Sequence, residues 1–124
     1  MKNLIIIAAG GMGRTMYDLV RESVGYEEDF VIKGFIDDNQ NALDGFIGYP
    51  PIIGTISDYQ PDENDVFVCS IGGPARKMCM ESIIERGGRF QTIIHKTARI
   101  GTNVKIGKGN GIYKSGVRSF SGEL

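Results

Sequence analysis

From Asn3 to Ala8 the chain is an unbroken run, "NLIIIA", of the length of a strand buried on both faces. From Arg14 onward the apolar positions change period: Met16, Leu19, Val20 and Val24 fall on one helical face, and Gly25 ends the run. Between the two lies "AAGGMGR", so the order is strand, glycine turn, helix. A second β-rich run, "DFVIKGFIDD", ends in Asp37 and Asp38 and gives way to "NQNALDGFIGYPP", a polar, glycine-containing, proline-closed loop. Ile52 and Ile53 predict a minor strand. "DVFVCSI", from Asp65, is again a buried-type strand. In "GGPARKMCMESIIERGG" the residues Cys79, Met80, Ile83 and Ile84 share a helical face, which the paired glycines stop. "RFQTII" predicts one more strand.

Strands alternating with helices at this spacing predict a doubly wound α/β domain over residues 1–94, a parallel sheet with helices on both sides. Ligands of such sheets lie beyond the carboxyl ends of the strands. Three features fall on that edge: "AAGGMGR", the pair Asp37 and Asp38, and "SIGGPAR" after the strand from Asp65. After His95 the period changes again. Ile94, Ile100, Ile106 and Ile112 recur every six residues, Ala98 and Val104 form a second such series, and Gly101 and Gly107 follow two of the isoleucines. A six-residue period fits a β-helix of triangular coils, with one aliphatic side chain per edge pointing inward and a permissive residue at the corner. The register fails at Arg118, so residues 95–124 read as one truncated first coil.

Composition narrows the function classes. At 124 residues and 13.6 kDa the ceiling is one domain plus an appendage. With 41% apolar residues, 23% charged ones and a formal net charge of -1, neither disorder nor a bulk pull on nucleic acid or anionic membrane is indicated. No stretch approaches the ~20 apolar residues of a membrane span, and the opening has no signal-peptide core, so a cytoplasmic location is expected. Cys69 and Cys79 lie inside apolar periodic stretches and read as free thiols, and no Cys or His pair has metal-ligand spacing.

The glycine loop is the first candidate site. Ala8, Gly10 and Gly13 occupy the three spacings of the dinucleotide fingerprint, with alanine where glycine is usual. Small residues there let a backbone approach a phosphate, and the N–H groups of the following helix favour an anion. Asp37 and Asp38 are placed to bond a ribose or sugar hydroxyl, and "DDNQN" is equally good turn chemistry. As a loop carboxylate beyond a strand end, Asp38 is expected to support few core contacts. Gly72 and Gly73 would let a ligand pass the sheet edge, and Arg76 would meet a phosphate or lie exposed. His95, the one histidine, has no nucleophile pattern and no carboxylate nearby in sequence, which favours a structural junction.

In order, "LIIIAAGGMGR", "GFIDD", "SIGGPARK" and "IIHKTARIGTNVKIGKG" resemble the hexapeptide-repeat sugar O- and N-acetyltransferases of bacteria over about residues 2–113. That group comprises the sialic acid O-acetyltransferases and the acetyltransferases acting on UDP-linked amino sugars. The resemblance implies a small Rossmann-like domain that holds a nucleotide-sugar acceptor, followed by a left-handed parallel β-helix that trimerises and binds acetyl-CoA between subunits. It carries acceptor contacts over to Gly10, Gly11, Met12, Asp37, Asp38 and Gly72. Met12 stands where the family commonly has histidine. By resemblance, then, "AAGGMGR" cradles the phosphates of a nucleotide sugar rather than of NAD.

The family's catalytic histidine lies on a later coil and acts as general base on the acceptor. His95 matches instead the histidine at the start of the β-helix, so no catalytic role transfers to it. One coil of ~18 residues buries little without neighbours. The chain is therefore expected to be the acceptor-binding half, without acetyl-CoA, metal or acetyl transfer of its own, and a monomer or loose dimer rather than the family trimer. A fragment of an NAD(P)-binding oxidoreductase is the alternative from a different class.

Overall fold

The computed structural model describes residues 1–96 and, as backbone, 110–113 and 116–119. β1 (Lys2–Ile7) turns into α1 (Gly11–Arg21), followed by β2 (Phe30–Ile36), β3 (Ile52–Gly54), β4 (Asp65–Cys69) and α2 (Pro74–Glu85). Then come β5 (Ile93–Ile94), β6 (Asn110–Tyr113) and β7 (Gly116–Ser119). The first four strands form one parallel sheet in the order β3-β2-β1-β4, the small Rossmann-like α/β arrangement that the alternation of strands and helices predicts. No helix among the described residues is long and apolar enough to cross a membrane.

β1 shows why the sheet needs a helix on each side. Leu4 and Ile6 pack with Met16 and Val20 of α1, whereas Ile5 and Ile7 pack with Met80 and Ile83 of α2. Successive side chains of a strand point to opposite faces, so an all-apolar strand is buried only when both faces are covered. Gly34 of β2 belongs to the same packing: a Cβ there would stand 2.7 Å from the Pro51 carbonyl oxygen and 2.9 Å from Ile53. Glycine lets the chain entering β3 lie close against β2.

Three boundaries differ from the sequence pattern. α1 begins at Gly11 and ends at Arg21, so Val24 lies beyond it and is 62% exposed. The cause is local: the Ser23 hydroxyl donates back to the Leu19 carbonyl at 2.6 Å, and the Val24 N–H leaves the helix to bond the Ile94 carbonyl at 2.8 Å. In α2 the packed face comprises Arg76, Cys79, Met80 and Ile83, and Ile84 turns outward, 56% exposed. "RFQTII" yields only the two residues of β5. Its earlier part touches β4 through a single bridge, Phe67 to Phe90.

β5, β6 and β7 make a second sheet in that order. β5 is parallel to β6, with Ile93 opposite Gly111 and Ile94 opposite Ile112, and β7 returns antiparallel to β6. Ala98, Ile100, Gly101, Val104, Ile106 and Gly107, on which the six-residue period mostly rests, lie outside the described residues.

The amino-terminal edge of the main sheet carries its densest polar cluster. Lys33 is the extra residue of a bulge between the pairs Leu4–Ile32 and Ile5–Gly34. Its Nζ donates to Tyr59 Oη at 2.8 Å, Asp62 Oδ2 at 3.1 Å and Asp65 Oδ1 at 3.1 Å. Asp65, whose side chain is 0% exposed, also accepts from the Tyr59 hydroxyl at 2.6 Å and the Asp62 N–H at 2.9 Å. Burial opposes the charge on Lys33 and on Asp65. The hydrogen bonds outweigh it, raising the lysine above its ordinary 10.5 and lowering the carboxyl below its ordinary 3.8.

These opposite shifts define a stability plateau. A carboxyl lowered by folding contributes above its unfolded value, near 3.8, and that contribution is lost as pH falls through the folded value. A lysine raised by folding contributes below 10.5, and its share is lost as pH rises through the folded value. In urea denaturation the share of stability that this cluster contributes, read as the difference from Lys33→Met, should therefore be flat between about pH 4 and 10 and smaller on both sides. Lys33→Met should cost about 3 kcal/mol at pH 7, because it strands the buried Asp65 carboxylate. A loss under about 1 kcal/mol would show that the cluster is no more than a surface ion pair.

Candidate functional site

β1 is the switch point of the sheet. β2 lies on one side of it and β4 on the other, so the turns that follow β1 and β4 diverge and leave a crevice between them. Gly10 and Gly72 stand in these two turns, and each precedes a helix. α1 starts behind Gly10 and α2 behind Gly73, and neither helix has a side-chain cap or an acidic residue in its first turn. Pro74 opens α2, where a missing N–H removes nothing. Two helix starts without side-chain caps thus flank the crevice; in α1 the first-turn N–H groups face it, and in α2 the Arg76 N–H turns back to the Gly73 carbonyl at 3.2 Å.

The turn "AAGGMGR" is built from an unusual backbone. Ala8 has φ +78, a left-handed conformation that costs alanine about 1–2 kcal/mol, so the usual glycine at this spacing has a conformational reason. Neighbours hold it there. The Ala8 N–H donates to the Ile36 carbonyl at 2.8 Å, while the Ser70 hydroxyl donates to the Ile7 carbonyl at 2.7 Å and approaches the Ala8 carbonyl at 3.3 Å. Gly13 completes the knot: a Cβ on it would lie 2.0 Å from the Ala8 carbonyl oxygen, so only glycine fits.

Gly10 and Gly72 are different. A Cβ at either meets nothing within 4 Å, and Gly10 has φ -75, which any residue adopts. The chain itself requires glycine at 13 but not at 10 or 72. Gly11 lies in the first turn of α1 and would meet only the Arg14 side chain, at 3.9 Å. Met12 follows it and is 43% exposed.

Asp37 and Asp38 do not act as a pair. Asp37 Oδ2 accepts the Ala9 N–H at 2.8 Å and its Oδ1 accepts the Asn39 N–H at 2.8 Å, which ties the end of β2 to the glycine turn. Asp38 Oδ1 accepts the Ile56 N–H at 2.9 Å and lies 3.4 Å from the Ser57 N–H. Arg86 grips the same turn from its other side, donating to the Ile56 and Ser57 carbonyls. Both aspartates thus hold backbone N–H groups of neighbouring turns. A carboxylate has about four acceptor positions, so Asp37 retains capacity for a ligand hydroxyl beside the glycine turn.

Sequence reading passed over two neighbours of the loop. Arg14 donates to the Ala9 carbonyl at 3.2 Å and stacks its guanidinium 3.8 Å over the Phe46 ring, which draws the 39–49 loop towards the glycine turn. Ser70 is the other, a polar residue ending a buried strand. Its only signal was that position. Arg76 donates to the Ile71 carbonyl at 3.3 Å and so supports the turn holding Gly72.

His95 lies elsewhere. Its Nε2 is 3.5 Å from Glu22 Oε1, and it bridges Ser23 just beyond α1. The orienting carboxylate missing from the nearby sequence therefore comes from the end of a helix. That end is about 16 Å from the glycine turn, given ~1.5 Å per residue.

The model of the family described as the PglD N-terminal domain matches residues 3–93. An uncharacterised protein of Acanthamoeba polyphaga mimivirus is 35% identical over 107 residues, which cover 85% of this chain and 20% of that protein. The chain thus spans about a fifth of the length of that relative.

The knot of Ala8 and Gly13 yields a paired expectation for urea midpoints. Gly13→Ala should cost about 2–3 kcal/mol, since the added methyl overlaps backbone rather than a flexible side chain. Ala8→Gly should be neutral or stabilising by up to about 1 kcal/mol, because relief of the left-handed strain exceeds the extra freedom of unfolded glycine. A clear loss for Ala8→Gly, or none for Gly13→Ala, would contradict the geometry.

Proposed function

The chain belongs to the PglD N-terminal domain family, the amino-terminal domain of a family of acetyltransferases, and from that premise we propose that it holds the acceptor of an acetyl transfer. The acceptor is a nucleotide-linked sugar of the UDP-amino-sugar or sialic acid class. Its phosphates lie against Gly10, Gly11 and Met12 at the start of α1, Asp37 accepts a hydroxyl, and Gly72 leaves room on the β4 side. Asp38 acts from behind by fixing the 55–58 turn. One observation carries this reading: glycines stand at 10 and 72, in the turns after the adjacent strands β1 and β4, where the fold itself has no need of them.

The donor is acetyl-CoA, and its place is the β-helix. Supporting this, Ile93 and Ile94 pair in parallel with residues eighteen positions later, the length of three six-residue edges or one full coil. His95 is not the base for an acceptor held at the glycine turn, because α1 stands between them. In this reading the described domain binds and orients the acceptor, and trimerisation, donor binding and proton removal belong to coils of the β-helix.

Calorimetry with a UDP-amino sugar, with UDP and with NAD tests the proposal. The UDP-sugar should bind, and Gly10→Val and Gly72→Val should each weaken it at least tenfold while folding stability changes by less than about 0.5 kcal/mol. Tight NAD binding without UDP-sugar binding would replace this reading with the oxidoreductase one. Unchanged affinity in both variants would remove the crevice as the site.

A further inference from the structure

Arg14 is the one basic residue of the glycine turn "AAGGMGR", and its surroundings go beyond what holding a loop requires. It reaches back past the start of α1, as helix side chains do, and its Nη1 donates to the Ala9 carbonyl at 3.2 Å. Ala9 in turn gives its N–H to Asp37 Oδ2 at 2.8 Å. A cationic donor and an anionic acceptor are thus tied to one residue of the turn, beside the backbone of Gly10 and Gly11. On the Nη2 side Gly11 keeps the space open, since a Cβ there would meet only Nη2, at 3.9 Å.

The guanidinium is held but not neutralised. It lies 3.8 Å from the centre of the Phe46 ring, and that ring is a fixed platform. The Phe46 N–H donates to the Leu43 carbonyl at 2.9 Å, and Leu43 and Tyr49 pack against the core on either side of it. Tyr49 also meets Tyr17, which is three residues along α1 from Arg14 and so on the same face, with 5.4 Å between ring centroids. Among the described residues the ion pairs are those of Lys33, Lys77 and His95, so no carboxylate pairs with Arg14. Of its N–H groups, one is spent, on a neutral carbonyl. A cation at the end of the first turn also stands against the helix dipole, and α1 has no acidic residue there to offset it. A bound anion removes that conflict.

We propose that Arg14 is the phosphate-binding side chain of this site, with Phe46 as the residue that positions it. The inference rests on the reading of the crevice as a nucleotide-sugar site and specifies how the nucleotide is recognised. Asp37 accepts a hydroxyl, Gly11 lets the diphosphate settle on the start of α1, and the N–H groups of Arg14 not spent on Ala9 donate to the phosphate oxygens. A planar guanidinium can meet two oxygens of one phosphate, which an ammonium group cannot do in the same way. Stacking on Phe46 restricts the arginine beforehand, so less side-chain freedom is lost when the ligand arrives. The site thereby selects phosphate-bearing ligands over nucleosides and neutral sugars.

Calorimetry of the full chain with UDP, alongside NMR titration with uridine for weaker binding, tests the inference. Arg14→Gln should weaken UDP roughly tenfold or more and leave uridine as in the wild type. Arg14→Lys should fall between the two, with the charge kept and the fork lost. Phe46→Leu should weaken UDP about threefold, and Phe46→Tyr should restore it. Added potassium chloride should weaken UDP binding more in the wild type than in Arg14→Gln. A residue that only fastens the 39–49 loop would move UDP and uridine together. UDP binding undiminished in Arg14→Gln, or equal losses for UDP and uridine, would overturn the inference and leave the crevice reading standing. UDP that fails to bind the wild-type chain would remove both.

Discussion

The contact between Gly13 and the carbonyl oxygen of Ala8 sets the direction in which α1 leaves β1, and the crevice follows from it. A backbone approach this close excludes any side chain, and it draws Ala8 into a conformation that alanine adopts only when held. The holding groups come from two strands: the Ile36 carbonyl and the Asp37 carboxylate at the end of β2, and Ser70 after β4. The turn is therefore shaped by the sheet around it before any ligand arrives. A ligand seated there would require little further ordering of the backbone.

The two edges of the sheet divide the work. At the amino-terminal edge Lys33, Tyr59, Asp62 and Asp65 satisfy one another, and such a cluster fastens β2 to β4 across β1. At the carboxyl edge the hydrogen bonds run mostly from side chain to backbone, and they leave the first-turn N–H groups of both helices clear of side-chain caps. Charge is consumed where the fold is fastened and kept available where a ligand would lie.

Much of this was legible in the residues themselves. Runs such as "NLIIIA" and "DVFVC" had no polar face to offer solvent, so burial from both sides, and with it the parallel sheet and flanking helices, followed. The glycine turn was visible by spacing, including the departure at Ala8. What remained hidden depended on partners distant in sequence. Asp37 and Asp38 look alike in the chain, yet adjacent positions at a strand end point to different neighbours, one to Ala9 and the other to Ile56. Lys33 read as an ordinary strand residue until a bulge let it meet Asp65, and nothing local marked Glu22 as the companion of His95. Val24 and Ile84 fitted a helical period on paper, but one helix ended before Val24 and the other turned Ile84 outward.

α1 carries the glycine turn at one end and, at the other, the bonds that seat residues 94–96: Val24 N–H to the Ile94 carbonyl at 2.8 Å, and Lys96 N–H to the Glu22 carbonyl at 3.0 Å. The helix is thus a strut between the glycine turn and the point where the chain leaves the main sheet. A helix transmits both length and phase, about 1.5 Å and about 100° for each residue. Adding or deleting a single residue within Gly11–Arg21 would swing that departure point by more than a quarter turn relative to the glycine turn. The length of this helix is in effect a gauge that sets the orientation of the glycine turn relative to the point where the chain leaves the sheet.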